Sequence, residues 1–257
     1  MKVCGLVHVH SSFSFDGKLS LKQLHDLAHS NGCQFVLLTE HIETLKRSDL
    51  EKLIAECEQQ SDENCLLIPG LEIEDQCLLF LGMTMPVDTT DYEGTRDQLI
   101  KSGVFVVLAH PHRCKRAFSL PELKGIDAIE VWNVKDDGFR APGYVGWKLW
   151  NQTRNSTELQ PAAIAGLDFH SMENYRPLVI EVEVSSLTLG SIMERLHQRE
   201  FLIRRAGKIF NPGAVTKWQR LIGLLTWMMR CLYAKLRGKH QLVPFALRKH
   251  IKKAIKG

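Results

Sequence analysis

Met1-Lys2-Val3-Cys4-Gly5-Leu6-Val7-His8-Val9-His10 is the stretch on which the reading of the chain turns. Residues 2–9 alternate apolar with small or polar side chains, the period of a half-buried strand, and the run closes on two imidazoles one residue apart. Strand alternation sends His8 and His10 to one face, roughly 6–7 Å apart at Cα for a rise of ~3.3 Å per residue. Two imidazoles so placed can chelate one ion. The same parity recurs in Asp168-Phe169-His170 and in His110-Pro111-His112, where Pro111 makes a loop of the second pair.

Further short apolar runs at 34–39, 65–73, 77–83, 104–109, 128–132, 162–165 and 179–184 read as strands, with the acidic turn Glu74-Asp75-Gln76 between two of them. Capping boxes at Ser20-x-x-Gln23 and Ser48-x-x-Glu51 predict helices ending near Asn31-Gly32 and Gln59, and a third helix is expected around 93–102. Strands alternating with helices imply an α/β fold with a parallel sheet. Seven or so strands in a domain of ~200 residues favour a distorted (β/α)7 barrel related to the TIM barrel. Every strand of such a barrel ends at one mouth. His8, His10, His41, His110, His112 and His170 all fall where an apolar strand ends, as do Asp16, Glu72, Glu130 and Asp168, whereas His25, His29, His197, His240 and His250 fall on predicted helices. Imidazole mixed with carboxylate, without a thiolate cluster, suits Zn²⁺, Mn²⁺ or Fe²⁺ better than Ca²⁺.

Read in order, His8-Val9-His10 with Asp16-Gly17, Thr39-Glu40-His41, Gly70-Leu71-Glu72, Ala109-His110-Pro111, Glu130-Val131-Trp132-Asn133 and Gly166-Leu167-Asp168-Phe169-His170 resemble the PHP (polymerase and histidinol phosphatase) family. The likeness covers roughly residues 1–205. It implies a distorted seven-stranded α/β barrel that binds up to three metal ions and hydrolyses phosphomonoesters or phosphodiesters. It further implies that His8, His10, Glu72 and Asp168 hold one metal, that Glu72 bridges to a second bound by His110, and that Asp16, His41 and His170 hold a third. Where many members carry another histidine, this chain reads Gln76-Cys77-Leu78-Leu79. Two firmly held ions are therefore expected, with Cys77, Asp75 or His112 as the remaining candidates for the second site.

Two ions ~3.5–4 Å apart could share a hydroxide and clamp phosphate oxygens. Arg113 offers a planar fork for a phosphate, although Arg113-Cys114-Lys115-Arg116 also reads as a solvated loop. Asp168 is a candidate base or ligand-orienting group and His112 a further catalytic candidate. Glu130 and Asn133 either support ligands from behind or are a plain acidic strand end. The loop from Asp136 to Trp150 reads as lining or cover for the mouth, or more plainly residues 144–150 read as a packed helix. The expected function is a metal-dependent phosphatase acting on a small phosphorylated metabolite or nucleotide. The alternatives are a nuclease or exonuclease, and a non-catalytic metal-stabilised binding module.

Of the 257 residues, 44% are hydrophobic and 24% charged, the composition of a soluble globular protein with a sizeable core. No secretory signal is read. Seven cysteines without a C-x-x-C pair argue against a disulfide framework and for a reducing cytoplasm. The net charge of +4 hides an asymmetry: residues 206–257 carry 12 Lys/Arg and no Asp/Glu, leaving the rest of the chain acidic. Apolar residues at 218, 221, 222, 225, 228, 229, 232 and 236 predict an amphipathic basic helix, followed by a second basic patch at 248–256. The uncharged run 221–229 is well below the ~18 residues of a membrane span. Such a tail can dock its apolar stripe on the barrel or on a second subunit. It can also lie on an anionic membrane surface, which would be the inner one of a cytoplasmic protein, or hold nucleic acid.

Overall fold

Helix starts follow local chemistry. Ser20 caps α1 (Leu21–Ser30): its hydroxyl accepts from the Gln23 amide while Gln23 Oε1 accepts from the Ser20 amide at 2.9 Å, so each satisfies a free donor of the other. α2 (Arg47–Gln60) starts earlier than Ser48 predicts. Its cap is Lys46, whose amide donates to Asp49 Oδ2 at 2.8 Å, so Asp49 does the capping and Ser48 lies inside the first turn.

The computed structural model describes residues 1–114, 123–156 and 159–237. Its strands are β1 (Lys2–Val9), β2 (Phe35–Leu38), β3 (Glu40–His41), β4 (Leu66–Ile68), β5 (Gly70–Ile73), β6 (Leu78–Leu81), β7 (Phe105–Leu108), β8 (Ala128–Asn133), β9 (Ala162–Gly166), β10 (Leu178–Glu183), β11 (Phe201–Arg205) and β12 (Lys208–Phe210). The remaining helices are α3 (Tyr92–Lys101), α4 (Val134–Asp137), α5 (Tyr144–Thr153), α6 (Leu189–His197) and α7 (Lys217–Arg237).

The strands form two six-stranded sheets, β12-β11-β10-β1-β2-β4 and β3-β5-β6-β7-β8-β9. The chain passes from one sheet to the other at Thr39, between β2 and β3, and again at Pro69, which splits the single strand expected over 65–73. Beyond β9 the chain returns to β1: the Leu167 amide donates to Val7 O at 2.9 Å, Phe169 to His8 O at 3.0 Å, and His10 to Phe169 O at 2.9 Å.

An all-parallel sheet is not what forms. β6 runs antiparallel to both β5 and β7, and β10, β11 and β12 extend β1 in antiparallel fashion. The link from β5 to β6, residues 74–77, is too short for the crossover that a parallel neighbour needs. Phe35, Phe80, Phe105 and Trp132 are fully buried in the core, and the Trp132 indole donates to Gly138 O at 2.8 Å.

The expected helices over 144–150 and in the tail are α5 and α7, whereas the basic patch at 248–256 and His240 and His250 lie outside the described residues. No described helix is long and apolar enough to cross a membrane. Contrary to the expectation of unpaired thiols, Cys77 and Cys114 form a disulfide, while Cys4, Cys33, Cys57, Cys65 and Cys231 are free. The two partners lie 37 residues apart, in a strand approach and in the loop after β7, so nothing in their spacing announces the pair.

Trp132→Ala should cost about 3–5 kcal/mol, because it empties a fully buried site and breaks the indole hydrogen bond. A urea unfolding midpoint unchanged from wild type would contradict this packing.

Candidate metal centre

Glu72, on β5 and 1% exposed, is the centre of the site. Its Oε2 lies 3.3 Å from His8 Nε2, 3.2 Å from His10 Nε2 and 3.6 Å from His41 Nδ1, and its Oε1 lies 2.7 Å from His110 Nε2. Asp168 Oδ1 is 4.0 Å from His8 Nε2 and 3.8 Å from His10 Nε2. His170 stacks on His10 with ring centroids 4.2 Å apart and approaches Asp16 at 2.8 Å. Asp16 is also 3.5 Å from His41. The structure thus brings together His8, His10, Asp16, His41, Glu72, His110, Asp168 and His170.

Regular alternation does not produce this convergence. The β1–β2 register slips between Val7 and Val9, and His8 has φ 61°, so His8 is the extra residue of a bulge. His110 (φ 28°) and Asp168 (φ 49°) also stand in left-handed backbone. Such residues cost of order 1–3 kcal/mol each and persist where the surrounding fold over-determines them. Gly166 adds a packing condition: a Cβ there would run into Glu130 Oε1 and the His8 side chain.

A second layer orients the rings. His8 Nδ1 lies 2.9 Å from Glu130 Oε1, whose Oε2 accepts from the His110 amide at 2.8 Å and from Asn133 Nδ2 at 3.0 Å. Glu130 and Asn133 therefore support ligand-bearing residues from behind. Glu40, fully buried, accepts from the Ser11 amide and the Ser14 hydroxyl, and Ser14 Oγ is 3.3 Å from His10 Nδ1. A donor contact at one ring nitrogen fixes the tautomer and aims the other inward.

Arg113 reaches the cluster, with NH2 2.8 Å from Asp168 Oδ2, and its Nε pairs with Asp136. His112 points elsewhere: its Nε2 is 2.9 Å from Asp136 Oδ2, and it belongs to none of the described donor groups. Cys77 is occupied by Cys114, which removes it from the donor set. Sequence reasoning missed Lys135, whose Nζ is 2.9 Å from Asp168 Oδ1, and also Asp136 and Glu40. Glu40 sits inside a quoted motif beside His41. Lys135 and Asp136 follow a strand end, and that position was their only available signal.

Burial opposes charge on His8, but Glu130, Glu72 and Asp168 outweigh it and raise its pKa well above the ordinary imidazole value. Burial pushes His10 down to about 3. Burial would likewise raise Glu72 and Asp168, yet His8 with His10 and His110 holds Glu72 well below the usual carboxylate range, and His8, Arg113 and Lys135 do so for Asp168.

Among the described residues, three groups of donor atoms each lie within 4.8 Å of one another: His10, Asp16, His41 and His170; His8, His10 and Glu72; and His8, His110 and Asp168. His10 Nε2, Asp16 Oδ1, His41 Nδ1 and His110 Nδ1 are buried without a hydrogen bond. Orphaned donors of this mixed nitrogen and oxygen kind fit divalent transition-metal ions.

An imidazole–carboxylate cage at the junction of two mixed sheets defines the class: an α/β protein with a candidate divalent-metal site. Residues 7–116 match the family model of the PHP domain, in agreement with the resemblance of the motifs. No curated protein matches the chain. Among solved structures it is similar to a two-domain protein of Bacteroides vulgatus ATCC 8482 containing a "predicted PHP-like metal-dependent phosphoesterase", at 18% identity and TM-score 0.63, over 82% of this chain and 67% of that one. It is similar to the lesion-specific endonuclease PfuEndoQ of Pyrococcus furiosus, at 16% identity and TM-score 0.54, over 77% of this chain and 56% of that one. A third likeness is to PsfC of Pseudomonas syringae PB-5123, at 16% identity and TM-score 0.53, over 87% and 96% of the two chains. At such identities the likeness is one of fold, and the chain spans little more than half of the endonuclease.

Divalent cations should stabilise the folded protein, by about 2.7 kcal/mol at a free concentration one hundred times the Kd. Thermal melts with and without Zn²⁺ or Mn²⁺, after stripping with a chelator, measure this; a melting temperature indifferent to every ion would contradict the cage.

Proposed function

We propose that this chain is a metal-dependent phosphoesterase that hydrolyses phosphate esters of small metabolites or nucleotides. The observation that carries the reading is the buried cage around Glu72, with Arg113 and Lys135 on its rim. His8, His10, Glu72 and Asp168 would hold one ion, His110 with Glu72 a second, and Asp16, His41 and His170 a third, with Zn, Mn or Fe as candidates. Bound ions of this kind lower the pKa of water and neutralise phosphate charge.

The chain's own residues do the rest. Arg113 and Lys135 are cations on Asp168 that can turn to non-bridging phosphate oxygens, the guanidinium through its planar fork. Asp168, held well below the usual carboxylate range, is a poor proton acceptor near neutrality and serves as a charged anchor. His112, whose pKa Asp136 raises against the effect of burial, holds a proton on Nε2 and orders the Arg113 loop through their shared carboxylate. The PHP match and the phosphoesterase named in the Bacteroides neighbour support the reaction class. The endonuclease among the neighbours makes nucleic acid the alternative substrate, so oligonucleotides belong in the substrate panel beside phosphorylated metabolites.

Turnover of p-nitrophenyl phosphate with added Mn²⁺ should be abolished by His10→Ala or Asp168→Ala with the fold retained, and wild-type rates from either variant would refute the ligand assignment. Arg113→Ala should act mainly through KM, raising it about tenfold or more for the loss of a charge-assisted contact. Bound metal with no hydrolysis of any ester would leave the non-catalytic module as the answer.

A further inference from the structure

α7 has two opposed faces. Gly223, Trp227 and Arg230, spaced four and three residues apart, lie on the inner one. A Cβ at Gly223 would press on Pro142 O at 2.6 Å, the Trp227 ring packs 6.0 Å from Tyr144, and Arg230 pairs with Asp136 and donates to Lys135 O at 3.0 Å. At 100° per residue, Trp218, Leu221, Leu225, Met228 and Leu232 fall roughly on the opposite side, and Ile222 about 100° round on the flank. All six are exposed, Trp218 at 74%. Most of the apolar stripe, for which docking on the barrel is one reading of the sequence, is therefore left in solvent, and the helix is fastened by a glycine, an aromatic and an arginine.

We infer that this outer face of α7 lies on an anionic lipid surface. Large aliphatic side chains in a continuous stripe are stabilised by an acyl environment. The sign of the surface follows from composition, because the sequence of residues 206–257 holds 12 Lys/Arg and no Asp/Glu, and among the described residues Lys208, Lys217 and Arg220 are exposed. A second copy of the chain is a poor occupant, since pairing the stripes would set two wholly cationic segments against each other. Nucleic acid would satisfy the charge but not the stripe, in which Trp218 alone offers a ring for stacking. With no described helix able to span, the association is peripheral. The reading is independent of the chemistry at the metal cage.

The test uses the full chain with vesicles of phosphatidylcholine alone and of an equal mixture of phosphatidylcholine and phosphatidylglycerol. The protein should sediment with the mixed vesicles only, and tryptophan emission should shift to shorter wavelength, a shift that Trp218→Phe removes. Leu221→Ser and Leu225→Ser, both on the exposed face, should keep the melting temperature and weaken vesicle affinity by about tenfold each. Equal sedimentation with neutral vesicles, or variants that sediment like wild type, would overturn the inference. So would a Leu225-dependent dimer in the absence of lipid, or Leu225-dependent binding of an oligonucleotide.

Discussion

One buried carboxylate organises this molecule. Glu72 has imidazoles from three other parts of the chain at both of its oxygens, in a place where water does not reach to screen them. A buried charge of that kind is stable only while partners surround it. The demand explains several features that look unrelated. It accounts for the bulge at His8, the left-handed backbone at His110 and Asp168, and the absence of any side chain at Gly166, because each of these moves a donor closer or clears room for one. The sheet junctions at Thr39 and Pro69 serve the same end, placing His41 and Glu72 just past the crossing points.

Around the cage runs a set of restraints that settle which nitrogen of each ring faces inward. Glu130 addresses His8 directly and His110 through its amide, and Glu40 with Ser14 addresses His10. The cations Arg113 and Lys135 complete the balance by pairing with Asp168. Two cations thus stand beside a carboxylate-rich interior, a charge arrangement that the proposed chemistry would use.

Much of this was legible in the chain because the ligands are polar residues interrupting apolar runs, which is a local signal. All eight proposed ligands come together, and strands form within each expected apolar run, although Pro69 divides one of them and β11 and β12 fall outside those runs. Geometry that depends on partners was not legible. The His8 bulge arises from its pairing with β2, the reversal of β6 from a four-residue link, and the cap of α2 from the Asp49 side chain, one residue past the expected Ser48 cap. Asp136 and Arg230 gave no motif at all, since their meeting depends on how α7 is laid across α4 and α5. The outward turn of the apolar stripe was hidden for the same reason: periodicity reveals that a helix has two faces but not which one the protein keeps.

Asp136 is shared by His112, Arg113 and Arg230, so the loop after β7 and the last described helix hang from one carboxylate. A tether of this kind fastens α7 to α4 and to the loop after β7. Natural variation along its inner face would then be felt as altered chemistry a hundred residues upstream, while the outer face remains free to change with the company the protein keeps.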